Sequence, residues 1–212
     1  SPLSLVITAF GAVNDIRKTL TPQLQLDQGD TQLIYLDLGQ GQQRLGGSCL
    51  AQVYGQLGDS VPDVDDPQLL KGYFNAIQVL VSQQLCLAYH DVSDGGLFTT
   101  LAEMAFAGHC GVNVDLSALG KIDNALPILF NEELGGVIQV KQSDLDSVLS
   151  ILAEHGLSSC THQIGQAQWG DRIVVNIKNN TILDTSRLAL RTKWADTTYH
   201  MQSLQDNPTT AS

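Results

Sequence analysis

Apolar and polar positions along this chain follow two periods, and the switches between them mark its elements. From 32 to 38 the period is two. Ile34, Leu36 and Leu38 share a wholly apolar face, while Leu33, Tyr35 and Asp37 share a mixed one, which predicts a strand. Residues 3–10, rich in Leu, Val and Ile, read as another strand, and 13–20 as a short helix ending before Thr21-Pro22. Residues 48–57 look helical. Asp66-Pro67 opens the clearest helix: Asp66 can accept from free N–H groups, Pro67 suits the first helical position, and Leu70, Phe74, Ile77 and Val81 make one stripe.

The same reading continues downstream. Residues 86–89 form a short buried strand, and Leu97, Leu101, Met104 and Ala105 recur at helical spacing. Val112, Val114 and Leu116 alternate as a strand, and 137–140 is another. Ser143 is placed to cap a helix carrying Leu145, Val148, Leu149 and Leu152, ending at Gly156. Short strands are expected over 162–168, 172–177 and 181–184, with hairpin turns at Trp169-Gly170-Asp171 and Asn179-Asn180. The tail from 186 to 204 is helix-like and is broken by Asp206-Asn207-Pro208. Strands and helices without regular βα alternation predict an α+β fold, a layered mixed sheet with helices packed on it.

Composition narrows the function classes. A chain of 212 residues can bury a real core, with one domain as the default. The net charge of −11 argues against nucleic acid, whose affinity comes mainly from Lys and Arg on phosphate. It leaves room for a small phosphorylated ligand held by a metal and backbone amides. Cys49, Cys86, Cys110 and Cys160 lie far apart, without zinc-site or disulfide spacing, and fit a reducing cytoplasm. No signal peptide or long apolar segment points to secretion or to a membrane. The start at Ser1, without Met, suggests a piece of something longer.

Three segments could carry chemistry. The first is His90-Asp91-Val92-Ser93-Asp94-Gly95-Gly96, between a strand and a helix start. Asp91 and Asp94 are hard oxygen ligands of the kind magnesium prefers, Ser93 can donate to phosphate or cap the helix, and the glycines allow close backbone approach. The second is Gly46-Gly47-Ser48, which at a helix start makes an anion nest or a turn with an N-cap. The third is Phe130-Asn131-Glu132-Glu133, an acidic turn whose carboxylates could serve a metal, a base or only solvent. Arg187, Arg191 and Lys193 form the only basic concentration and read as a surface or interdomain face. No Walker-type, nucleophile-elbow or zinc-protease motif is present.

Longer stretches carry a resemblance. Leu45-Gly46-Gly47-Ser48, Ala88-Tyr89-His90-Asp91, Ser93-Asp94-Gly95-Gly96-Leu97, residues 101–110, Phe130-Asn131-Glu132-Glu133-Leu134-Gly135 and Trp194-Ala195 resemble the phosphoribosylformylglycinamidine synthases of the large single-chain bacterial type. The His-Asp-x-Ser-Asp-Gly-Gly-Leu run recurs across the wider aminoimidazole ribonucleotide synthetase superfamily, so another ATP-dependent member is the alternative. The resemblance implies an aminoimidazole ribonucleotide synthetase C-terminal-domain-like lobe over 1–185, the C-terminal lobe of the second synthetase half. A helical tail over 186–212 would lead toward a glutaminase domain of the same full-length chain. It implies ATP/ADP and Mg2+ as ligands, and formylglycinamide ribonucleotide as a substrate shared with companion lobes.

Carried over by motif, Asp91 resembles a magnesium ligand and Ser93 a nucleotide-phosphate contact. Asp94, Gly95, Gly96, Gly46, Gly47 and Ser48 complete the expected nucleotide-binding set. Val92 stands where the family usually has Arg. The glycine-rich nucleotide segment, the other metal ligands and the glutaminase cysteine lie outside this sequence, so no residue of this chain is expected to be catalytic. The family holds one catalytic and one auxiliary nucleotide site, and the sequence leaves open which of them Asp91 serves. The expected setting is the cytoplasm, with neither nucleic acid nor membrane as a partner.

Overall fold

A seven-stranded sheet runs in the order β2-β4-β1-β5-β3-β6-β7 through the computed structural model, which describes residues 7–13 and 15–205. The strands are β1 (Thr31–Asp37), β2 (Ala88–Asp91), β3 (Gly111–Asp115), β4 (Gly135–Lys141), β5 (Thr161–Gln168), β6 (Arg172–Ile177) and β7 (Asn180–Ser186). All neighbours are antiparallel except β3 and β6. The helices are α1 (Cys49–Val53), α2 (Pro67–Ser82), α3 (Gly96–Gly108), α4 (Ala125–Phe130), α5 (Leu145–Glu154) and α6 (Arg187–Gln205).

Period two on β1 divides the core. Ile34 and Leu36 point into one cluster with Tyr73, Ala76, Ile77 and Leu80 of α2 and Val148 and Leu152 of α5. Leu33 and Tyr35 point into the other, with Leu97, Leu101, Met104 and Ala105 of α3 and Ile128 of α4. The sheet is therefore covered on both faces, and the fold is α+β, as the pattern implied. Asp37, on the face read as mixed, is buried as well.

Several expectations needed correction. Residues 3–6 lie outside the described residues, and 7–10 form no strand; Ile7 and Phe10 are exposed. An apolar run becomes a strand only where a ladder partner is open. The edge of β2 is met instead by Thr21, whose carbonyl accepts from the Tyr89 N–H at 3.0 Å. The helix expected over 13–20 shrinks to a 3-10 turn, Ile16–Lys18, and the one over 48–57 to α1.

On α2 the buried face is rotated by one residue. Tyr73 is inside, reaching the Tyr89 hydroxyl at 2.9 Å, and Phe74 is 61% exposed. Ser143 does not cap α5, because a 3-10 turn, Gln142–Asp144, already surrounds it. The turn at 169–171 is not a hairpin, since β3 lies between β5 and β6. The β6–β7 hairpin does turn tightly, but one residue earlier, with positive φ at Lys178 and Asn179. The break at 206–208 lies outside the described residues.

Candidate functional site

Antiparallel pairing gathers the three chemical segments at one end of the sheet. Asp37, the last residue of β1, pairs with Gly135, the first of β4, and Asp91, the last of β2, pairs with Gly136. The segment after β1 (38–48), the segment after β2 (92–95) and the turn before β4 (131–134) therefore leave from the same edge. His90 and Asp91 belong to the strand rather than to the turn.

Glu132 joins the two glycine loops. Its Oε1 accepts from the Cys49 N–H and from the Gly95 N–H, both at 2.8 Å. A carboxylate thus sits where each loop leads into its helix, and no sequence pattern announced the contact. Cys49, Asp94 and Glu132 bring potential ligand atoms within 4.8 Å of one another. Nearby carboxylates and burial push the Cys49 thiol upward, with desolvation the larger cause, then Glu132 and Asp94.

The neighbouring Glu133 has a different role. It is buried and takes a bidentate grip from Arg44, Nε to Oε1 and Nη2 to Oε2, each at 2.7 Å. Arg44 reaches on to Asp65 at 2.7 Å. A fork of this kind fixes geometry, so Glu133 is a structural anchor of the first loop. Gly39 is needed here, because a Cβ would lie 2.7 Å from the Glu133 Cγ.

The first glycine loop has few open donors. Gly46 N–H donates to Ser60 O and Gly47 N–H to Leu57 O, both at 2.6 Å, and Ser48 N–H to Leu45 O at 3.2 Å. The Ser48 hydroxyl accepts from the Ala51 N–H and donates to Leu45 O. It is a buried N-cap. The second loop is more open. Gly96 N–H donates to Ser93 O, but Ser93 and Asp94 are exposed, and among the described residues neither has a partner for its own N–H. Gly95 and Gly96 both take positive φ, and at Gly96 a Cβ would lie 2.5 Å from Asn131 O. Val92 turns inward and is part of the core, so this position contributes no group to the edge.

Asp91 presents a carboxylate that is 65% exposed, while the backbone beneath it is fixed. Its carbonyl accepts from the Thr100 hydroxyl at 3.2 Å, and the following N–H, of Val92, donates to Gly135 O at 2.9 Å. An exposed hard oxygen donor beside the free amides of Ser93 and Asp94 fits magnesium, which keeps several waters and takes one or two carboxylates together with phosphate oxygens. Behind Asp91 lies a chain of side chains that the sequence did not reveal. His90 Nδ1 is 3.4 Å from Asp91 Oδ1, and His90 Nε2 is 2.9 Å from Glu103 Oε2. One signal was available: Glu103 is the only charged residue in α3.

Residues 32–178 match the family described as AIR synthase related protein, C-terminal domain. The chain belongs to this family. Among solved structures it is similar to Thermotoga maritima PurL complexed with ATP (TM-score 0.62, 16% identity, 82% of this chain and 27% of that one). It is similar to T. maritima phosphoribosylformylglycinamidine synthase II with a TM-score of 0.64, at 16% identity, over 82% of this chain and 28% of that one. Escherichia coli HypE, a hydrogenase maturation protein, matches at a TM-score of 0.55 and 19% identity, over 79% of this chain and 52% of that one. At these identities the likeness is one of fold. The chain spans little more than a quarter of the two T. maritima proteins. Among the described residues no helix is long and apolar enough to cross a membrane.

Proposed function

We propose that this chain is the C-terminal lobe of the second synthetase half of a large single-chain ATP- and glutamine-dependent ligase. The enzyme would convert formylglycinamide ribonucleotide to formylglycinamidine ribonucleotide in cytoplasmic purine synthesis. The observation that carries the reading is the 91–96 edge: an exposed carboxylate and open amides at a strand end, in a fold shared with a protein captured with ATP and, in another structure, with this ribonucleotide. Asp91 would hold Mg2+. The open amides of Ser93 and Asp94 would face the nucleotide phosphates, whose charge the ion offsets, while Gly95 and Gly96, whose amides are taken by Glu132 and Ser93, would allow the close backbone approach. Gly46, Gly47 and Ser48 shape the opposing loop and meet the ligand through that shape, since their amides are already bonded.

The lobe is inactive alone in this reading, because companion lobes supply the remaining ligands and a glutaminase domain beyond the 186–212 tail supplies ammonia. Calorimetric titration of ADP with Mg2+ into the chain and its Asp91→Ala variant tests the edge. Binding by the wild type that the variant loses is the expected result. Equal binding by both removes Asp91 from the site.

A second reading rests on α6, which carries no buried residue and lies along the outside of α3. Here the lobe chiefly holds a structural nucleotide and docks a neighbouring domain. Asp91→Ala in the full-length enzyme separates the two. Lost turnover with intact folding supports the ligase role, and lost stability with normal turnover supports the docking module.

A further inference from the structure

The outer helix α6 reaches the Asp91 edge through three side chains. Its start is fixed by Asp171, which accepts from the Leu188 N–H at 3.1 Å, and by Ser186, whose hydroxyl accepts from the Ala189 N–H at 3.1 Å. Beyond that first turn it stands off α3 across a cavity of about 130 Å3 lined by Phe98, Ala102, Phe106 and Leu190. Trp194 bridges the gap. Its ring meets Phe106 edge-on at 6.2 Å, and Arg191 stacks over it at 4.6 Å. Its indole N–H donates to Glu103 Oε1 at 3.1 Å.

Glu103 therefore holds two donors, one on each oxygen. A carboxylate only accepts, so the His90 nitrogen facing it, Nε2, carries the hydrogen. The imidazole is fixed in plane and orientation, with Nδ1 toward Asp91. It walls one flank of a carboxylate that is otherwise open to solvent. The contact at 3.4 Å is one of packing and not a hydrogen bond, so the ring acts on Asp91 by limiting the positions its carboxylate can take; groups that orient a metal-binding side chain in this way need not touch the metal.

We propose that Glu103 is a positioning residue for Asp91, acting through His90, and that Trp194 makes this positioning depend on the seat of α6. A displacement of α6 would then be felt at the Asp91 edge. The proposal rests on the reading of Asp91 as a divalent-cation ligand, and the experiment separates the two.

In a Trp169→Phe background the chain has one indole, that of Trp194. Its N–H resonance is followed in the metal-free chain. Asp91→Asn, three side chains away, should move it, and an unmoved resonance overturns the coupling. Mn2+ binding in the presence of ADP is then measured by electron paramagnetic resonance. Asp91→Asn should lose binding, Glu103→Ala should weaken it about tenfold, and Trp194→Phe should weaken it less. Glu103→Gln, which keeps an acceptor for one of the two donors, should recover part of the loss. If Glu103→Ala and Trp194→Phe bind like the wild type while Asp91→Asn does not, the positioning role is wrong and Asp91 remains a ligand. If Asp91→Asn binds as well as the wild type, the ligand reading fails; if the wild type binds no Mn2+, the site needs its companion lobes; in both cases the indole resonance alone decides the coupling. Circular dichroism of each variant excludes a fold defect as the cause.

Discussion

Two glycine loops leave the same end of the sheet, and they are built in opposite ways. The loop at Gly46-Gly47 is folded back on itself, with its amides on Ser60, Leu57 and Leu45, its flank pinned by Arg44 and Glu133, and its root pinned by the buried Asp37. The loop at Gly95-Gly96 is held to the first by the half-buried Glu132, but it keeps Ser93 and Asp94 in solvent, and the carboxylates of Asp91 and Asp94 are exposed. The first loop is a closed wall, and in the proposed reading the second is the edge that meets the ligand. A glycine pair before a helix specifies neither role; the groups that take up the surrounding amides do.

The largest effects should come from adding a methyl group to the glycines. Gly96→Ala must place a Cβ against Asn131 O with φ at +68°, and Gly46→Ala must drive one into the Ser60 carbonyl. The strained backbone conformation and the overpacking add at Gly96, giving a loss of about 3–5 kcal/mol, with Gly46→Ala at the lower end. At Gly47 φ is +74° but the nearest atom is 4.0 Å away, so only the conformational part remains. Gly47→Ala should cost about 1 kcal/mol. Urea melts measure all three. Equal losses at Gly46 and Gly47 would show that the wall is not packed as described.

Glu132 tests the seam between the loops. Glu132→Ala leaves the Cys49 and Gly95 N–H groups without their acceptor. The expected loss is about 2 kcal/mol, since water reaches this half-buried site and recovers part of each bond. Glu132→Gln retains an oxygen acceptor and should lose less. A neutral Glu132→Ala would mean that the loops hold together without it.

Acid titration distinguishes the loops in another way. Burial is the main cause pushing the Asp37 carboxyl above its ordinary value, against bonds from Gly41 and Gly39 and the nearby His162. A carboxyl raised on folding binds more protons in the native state than in the unfolded chain. Its contribution to stability is therefore complete below the unfolded value and is lost as pH rises through the folded one. Urea melts upward from pH 4 should show the wild type falling relative to Asp37→Asn. A parallel Asp37→Asn curve would remove the buried charge from the first loop.

Much of this architecture was legible in residues, and the gaps have physical causes. Period two on β1 announced both of its faces, and Asp66-Pro67 announced α2, because those signals are local. Phe74 was misplaced because two overlapping stripes, 70/74/77/81 and 73/76/77/80, fit one helix, and only Tyr89 across the interface selects between them. Residues 7–10 look like a strand, but pairing is decided by which edge is open. At the site, the Ser93-Asp94-Gly95-Gly96 turn was readable. The Glu132 seam and the Trp194–Glu103 bond were not, because their partners lie 37, 83 and 91 residues apart along the chain, and the His90–Glu103 bond joins a strand to a helix that only the fold sets side by side.

The smallest effect probes whether the loops face each other at the distance described. Cys49 follows the first glycine loop and is the one cysteine with partial exposure; burial pushes Cys86 up to about 12 and Cys110 to about 11. A thiol reagent at pH 8 should therefore find Cys49 first in the native chain. Only the thiolate reacts, and Asp94, on the second loop, disfavours it. Asp94→Asn should speed the reaction by about twofold to fourfold, the size of one unit charge acting across this short gap in a largely aqueous setting. Asp91→Asn serves as the control and should leave the rate unchanged. If Asp94→Asn also leaves it unchanged, the second loop lies further from Cys49 in solution, and the two loops act as separate elements rather than as two sides of one cleft.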